Sequence, residues 1–234
     1  MKIVVLTRNP RGIASRFLAR GNVDVAAVIL DESPGTTLRR KLRKLRRAGP
    51  TAAPVGLVLR RAYAAAAAAP SLEELGVPIL RVPSLDGPEA RAHLAGADVA
   101  VSLENSLISE ATFTIPAHGT INVHHGAVPD YRGGPPVFWE LADGSDTVGF
   151  TVHRIDAGID TGPVLAEGAV PIRRGRTLRE TLAATIPPLY DASLDALEGV
   201  LAGDFEGRPQ RAVGALRTTP ALRDYVRVRR SLRH

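Results

Sequence analysis

The sequence predicts an α/β fold: a doubly wound, mostly parallel sheet with antiparallel additions and a short C-terminal tail. Three observations carry this. Short β-branched apolar runs alternate with helical patterns through the first half of the chain. Two later runs, 148–155 and 164–172, follow each other closely, which suits antiparallel neighbours. A length of 234 residues with 44% hydrophobic side chains fits one domain with a full core.

Taken in order, run 2–7 precedes Asn9-Pro10, which reads as a cap and first helical position for a helix through Leu18. A Gly21-Asn22 turn leads to run 23–30, and further strand candidates lie at 78–82, 98–103 and 120–124. Helical patterns fall at about 36–47, 57–68, 86–95, 106–113 and 176–202. In the first of these Leu38, Leu42 and Leu45 make one apolar stripe among cations. The alanines of 64–69 favour a helix by propensity. The last helix opens with Thr177 three residues before Glu180, a capping-box spacing, and Pro187-Pro188 should break or kink it. After 205 the composition turns to Arg, Pro and Gly. Residues 1–205 therefore read as the domain and 206–234 as a basic tail.

The absence of Cys removes disulfides, thiolate nucleophiles and Cys-ligated zinc, and suits a reducing cytoplasm. No signal peptide is visible, and no apolar run approaches the roughly 20 residues of a membrane span. The net charge of +6 invites a nucleic-acid partner, but its distribution does not. Residues 33–72 hold nine Lys or Arg and no acid, and residues 208–234 hold eight Arg against Asp224. Between them, residues 73–207 carry 8 basic and 20 acidic side chains, a balance of −12. The stretch 39–47 could meet phosphates, yet no aromatic lies between Phe17 and Tyr63 for base stacking. Arg8, Asn9, Pro10, Arg11 and Gly12 after the first strand form neither a dinucleotide nor a Walker-type phosphate loop.

The informative stretch is 119–165. If 121–124 is a strand, Asn122 and His124 point to the same face, at a carboxyl end where open α/β sheets bind ligands. A Gly- and Pro-rich loop follows, of the kind kept for shape around a ligand. Asp156 and Asp160 lie in a turn between two strands, placed to return a carboxylate to the histidine. An amide, an imidazole and a carboxylate suit acyl transfer to an external nucleophile. The imidazole relays a proton, the amide donates to the developing oxyanion, and the carboxylate orients the imidazole or passes the proton on.

This stretch resembles the folate-dependent formyltransferase family. The matching pattern is Asn122, His124, Pro129, Arg132-Gly133 and Pro136, then Asp156, Gly158, Asp160, Thr161 and Gly162. With the upstream strands and helices the resemblance covers about 1–172 and implies a Rossmann-like fold. It implies 10-formyltetrahydrofolate as the formyl donor, a primary amine as acceptor, and Asn122, His124 and Asp160 as the catalytic trio. The loops at 103–108 and 155–160 would hold the pterin, with Leu103, Ser106, Ile108, Asp156 and Asp160 as the expected contacts. The chain departs from common relatives at His125-Gly126, at Ala127-Val128 and in the pterin-loop segment 102–106.

Other residues have plainer readings. His125 adjoins His124, but neighbouring strand residues face opposite ways, so joint metal ligation is not expected. His153 reads as surface or core filler, and Trp139 as packing. Arg132 either stabilises the loop or binds a substrate anion. The tail is too short for a tRNA-gripping barrel, and the purine-type phosphate loop is missing, which leaves small amines, with a nucleotide-linked amino sugar favoured. The expected partner is thus a small molecule, without membrane, metal or nucleic acid; a homodimer stays open. Two rivals remain: an RNA-associated binding protein on a formyltransferase-like core, and a folate-dependent hydrolase.

Overall fold

The computed structural model describes residues 1–33, 52–67, 69–105, 107–203, 205–211 and 214–232. The helix expected at 36–47 and the basic stretch 39–47 lie outside them. Strands β1 (Ile3–Thr7), β2 (Val25–Asp31), β3 (Ile79–Val82), β4 (Val99–Leu103) and β5 (Thr120–His124) fall within about two residues of the sequence expectation. They pair in parallel in the order β3-β2-β1-β4-β5. The chain winds outward from β1 to β3, then returns to the other side of β1. A crevice therefore opens between the carboxyl ends of β1 and β4.

After β5, a short strand β6 (Arg132–Gly133) leads to β7 (Thr147–Arg154) and β8 (Val164–Pro171), and the last two extend the main sheet to seven strands. β7 runs antiparallel to β5, and β8 antiparallel to β7, as the short connection requires. Along β1, Ile3 and Val5 enter one core layer with helices Ile13–Arg20, Ala52–Ala66 and Leu178–Ala202, while Val4 and Leu6 enter a second layer beside helix Pro88–Leu94. Arg16 makes a two-pronged bond to Asp191 at 2.8 and 2.7 Å, and Arg20 reaches Asp195 and Glu198, tying the first helix to the longest.

Three expectations are corrected. Asn9-Pro10 does not start the first helix: Gly12 is its N-cap, and the Asn9 side chain accepts from Arg11 N at 3.1 Å in a turn before it. Pro187-Pro188 do not end the last helix, which runs unbroken from Leu178 to Ala202. Ile186 and Leu189 on either side are fully buried, and that burial offsets the lost backbone bonds. The third concerns the tail.

The described part of 206–234 is built into the domain. Strand β9 (Leu216–Arg217) pairs in parallel with β6, and helix Leu222–Ser231 sets Val228 into the main core at 0% exposure. Tyr225, Val228 and Leu232, at i, i+3 and i+7, form an apolar stripe that the many arginines hide from a compositional reading. Val228→Asp is expected to destabilise the chain by about 3 kcal/mol, as an unpaired buried charge does, whereas Val226→Asp on the exposed face should stay within about 0.5 kcal/mol. Equal urea midpoints for the two variants would contradict a docked helix.

Candidate active site

Asn122 and His124 project from one face of β5, and the antiparallel register sets His153 opposite Asn122 and Thr151 opposite His124. Thr151 Oγ1 donates to Gly126 O at 2.9 Å and accepts from Val128 N at 3.3 Å, anchoring the start of the loop after β5. Gly126 is required where it stands, because a Cβ there would collide with the Tyr131 carbonyl and lie 2.6 Å from His124 Nε2.

The β7–β8 connection folds back over this face. Asp156 Oδ1 accepts from Gly158 N at 3.0 Å and Thr161 Oγ1 at 2.6 Å, and the turn holds Asp160 at φ 51°, a left-handed conformation that asparagine and aspartate tolerate best. Asp160 Oδ2 accepts from Gly133 N at 2.8 Å and lies 3.4 Å from His124 Nδ1; its Oδ1 lies 3.6 Å from His153 Nε2. The amide, imidazole and carboxylate expected to converge do so, with a second imidazole between them.

Hydrogen bonds fix the protons. His124 Nε2 sits 2.7 Å from the Tyr131 carbonyl, so this nitrogen carries the hydrogen and Nδ1 faces Asp160. His153 Nδ1 donates to Arg154 O at 2.8 Å, so in the neutral ring Nε2 accepts from Asn122 Nδ2 at 3.1 Å. One amide hydrogen of Asn122 is thereby used and the other is left for a ligand. Burial lowers the His124 pKa, the Asp160 charge and the Tyr131 carbonyl raise it, and the balance lies below the usual imidazole value. Burial alone would raise Asp160, but the His153 and His124 imidazoles and the Gly133 N–H outweigh it, and the carboxyl falls below its usual range.

These groups line a cleft of about 530 Å³ at the carboxyl ends of β4 and β5. Its far wall is apolar, with Leu107, Ile108 and Phe113, and the 155–160 loop closes the opposite side. Among its described lining residues are Glu104, Glu110, Asp156 and Asp160 and no Lys or Arg. Of the expected pterin contacts, Ile108, Asp156 and Asp160 line the cleft, Leu103 is fully buried in the core behind it, and Ser106 lies outside the described residues.

Arg132 resolves toward loop support. It is buried and does not line the cleft; its Nε donates to Ile159 O at 2.7 Å and its NH1 to Gly214 O at 2.8 Å. The substrate-binding role expected for it finds no support in the described cleft, since the buried side chain turns its Nε and NH1 to backbone carbonyls. Trp139 packs edge-on against Phe138 and donates to Gly134 O and Thr218 O, both at 3.2 Å. His153, read from sequence as filler, is the residue that reading missed. The polar alternation Thr147, Thr151, His153 on β7 hinted at a polar face, but only the register with Asn122 gives it meaning.

Comparison with known proteins gives a family-model match that spans these residues. Residues 89–187 match the family model described as Formyl transferase. The chain is 38% identical over 143 residues to a methionyl-tRNA formyltransferase of Pseudomonas fluorescens, an alignment covering 58% of this chain and 44% of that relative. Among solved structures it resembles a sugar N-formyltransferase from a Shewanella species, with a TM-score of 0.61, 16% identity and coverage of 99% of this chain and 87% of that one. It also resembles a formyltransferase from Anoxybacillus kamchatkensis in complex with a UDP-linked formamido sugar and tetrahydrofolate, with a TM-score of 0.52, 18% identity and coverage of 97% and 88%.

His125 turns away from His124, its ring centroid 4.6 Å from that of Tyr190 and its Nε2 3.2 Å from Ser193 Oγ. Burial, helped by His124, pushes its pKa down to about 3. The unfolded value is about 6.5, so the unfolded chain binds the extra proton and stability falls as pH drops below that point. The slope from this group reaches up to about 1.4 kcal/mol per pH unit. His125→Gln, which keeps a polar group toward Ser193, is expected to flatten the stability curve between pH 4 and 6. Urea unfolding at several pH values measures this, and an unchanged slope would refute a desolvated, neutral His125.

Proposed function

We propose that the chain transfers a formyl group from 10-formyltetrahydrofolate to a primary amine, a reading supported by the match of residues 89–187 to the Formyl transferase family model. The observation that carries this reading is the meeting of Asn122, His124 and Asp160 on one wall of one cleft. The cleft suits the donor: its volume lies in the range of small-molecule sites, apolar side chains offer a face for a ring system, and the 155–160 loop offers backbone groups for its edge. Ile108, Asp156 and the neighbouring loop residues would hold the pterin, and when bound the folate supplies the formyl carbon that the amine attacks.

The chain's own groups divide the work. The free Asn122 N–H donates to the formyl oxygen as charge builds there, the contribution that is usually largest. His124 Nδ1, its pKa held below the usual imidazole value, accepts the amine proton as the new C–N bond forms. The imidazolium, stabilised by the Asp160 carboxylate, would return it to the donor nitrogen as the old C–N bond breaks and tetrahydrofolate leaves. His153 keeps the Asn122 amide oriented.

The lining bears on the acceptor. Glu104, Glu110, Asp156 and Asp160 favour an amine that arrives as a cation and disfavour phosphate near the reacting atoms. A nucleotide-linked amino sugar fits this reading only with its diphosphate held beyond the described cleft. The methionyl-tRNA relative makes an aminoacyl ester the other acceptor to compare. Because the chain spans 44% of that relative, its acceptor is settled by assay.

Incubation of the chain with 10-formyltetrahydrofolate and a panel of amines, followed by mass, is expected to yield one formylated product. His124→Ala and Asp160→Ala should each lose on the order of 10²–10⁴ in rate while the fold persists by circular dichroism. Full activity in both variants would remove the mechanism. Donor cleavage without any amine would favour a hydrolase, and salt-sensitive RNA binding without folate binding would favour an RNA-associated role.

A further inference from the structure

The segment after the long helix passes behind the loop that carries Asp160. Its register is fixed by backbone bonds between Arg208 and Val164, at 2.9 and 2.8 Å. Gln210 then reaches inward, and its Nε2 donates to Asp160 O at 3.0 Å and Gly162 O at 2.9 Å. Both amide hydrogens go to two carbonyls of the turn that holds Asp160 at positive φ. The other end of the same amide is left unsatisfied: Oε1 is buried without a partner. A buried acceptor in that state is a cost that an apolar side chain would avoid, so what distinguishes glutamine here is its pair of donors.

The turn is held at three points. Arg132 takes Ile159 O, Gln210 takes the two carbonyls beyond it, and Gly133 N takes the Asp160 carboxylate. The 3.4 Å approach of that carboxylate to His124 depends on where the turn lies. We propose that Gln210 is a positioning residue that keeps the Asp160 carboxylate against His124 by clamping the backbone of its turn. This rests on reading Asp160 and His124 as the reacting pair. It draws the C-terminal segment into the site, although Gln210 does not line the cleft.

The test follows the His124 ring by NMR in full-length protein labelled at histidine, titrated from pH 4 to 8. His124 is faced by Asp160, His153 and Arg132, with His125 beside it in sequence, and the substitutions at 210 leave all four in place. Asp160→Asn calibrates the effect of losing the carboxylate and is expected to lower the His124 midpoint. Gln210→Met, of similar length but without donors, is expected to move it at least half as far in the same direction. It should also lower kcat more than it raises KM for 10-formyltetrahydrofolate. Gln210→Asn, too short to span both carbonyls, is expected to fall between wild type and Met, and it decides the matter by the same criterion where the Met variant fails to fold.

A Gln210 variant that titrates with wild type while Asp160→Asn shifts would overturn the positioning role and leave the proposed chemistry standing. If Asp160→Asn itself leaves the midpoint unmoved, the His124–Asp160 pair is refuted, and the role of Gln210 with it.

Discussion

The site depends on one reversal of chain direction. Five strands run parallel, and then β7 enters beside β5 in the opposite sense. An antiparallel neighbour enters at the carboxyl end of β5 and needs no long crossover to its next partner, so the β7–β8 turn leaves Arg154 beside Ile121 and folds back along the strand. That places Asp160 over His124 and His153 opposite Asn122. A slip of one residue would turn His153 to the far face and bring Val152 or Arg154 inward, dismantling the cluster while leaving the hydrogen-bond ladder intact. The apolar residues of β7 oppose that slip: Val148, Phe150 and Val152 are buried in the main core and fix which face the polar set occupies.

Within the cluster two opposing effects meet. Removing His124 and Asp160 from water penalises both charged forms, while their mutual approach favours them. At 3.4 Å the two effects compete directly. The outcome is split. Asp160, helped by the Gly133 N–H and a second imidazole, stays ionised below its usual range, while His124 remains neutral at physiological pH. That pairing is what a proton acceptor needs: an imidazole free to take a proton and a carboxylate already in place to stabilise the result. His125, one residue on and desolvated without any carboxylate partner, shows the other extreme.

The sequence disclosed what depends on local pattern. β-branched runs located seven strands, and the Asn122/His124 spacing placed two polar groups on one face. It was silent where meaning depends on a distant partner. His153 looked like any polar residue on a half-buried strand until Asn122 stood across from it. Arg132 offered two readings that only the carbonyls of Ile159 and Gly214 could separate. The prolines at 187 and 188 were judged on local rules, and the burial of their neighbours overrode those rules. The arginines of the last segment masked a three-residue apolar stripe, and the backbone pairing of β9 with β6 has no compositional signature at all.

Glu104 explains a motif that the sequence reading could only describe by what it lacks. The switch point between β1 and β4 lies beside the N-terminus of the first helix, the place where such folds commonly seat a ligand's phosphate. Here Glu104, at φ 58°, turns its carboxylate into that position: Oε2 accepts from Ile13 N at 3.2 Å and Asn9 Nδ2 at 3.0 Å, and Oε1 from Tyr190 Oη at 3.3 Å. Gly12 is small because a Cβ there would collide with that oxygen. The stretch Asn9-Pro10-Arg11-Gly12 is thus shaped to admit a carboxylate of the chain itself. Burial raises the Glu104 pKa, and the donors around it pull the other way. A phosphate would have to displace this anion and bring its own charge beside Glu110, Asp156 and Asp160. With the helix terminus filled from within, recognition in the described cleft shifts to the ends of β4 and β5, where Asn122 has an N–H to offer and His124 an unprotonated nitrogen.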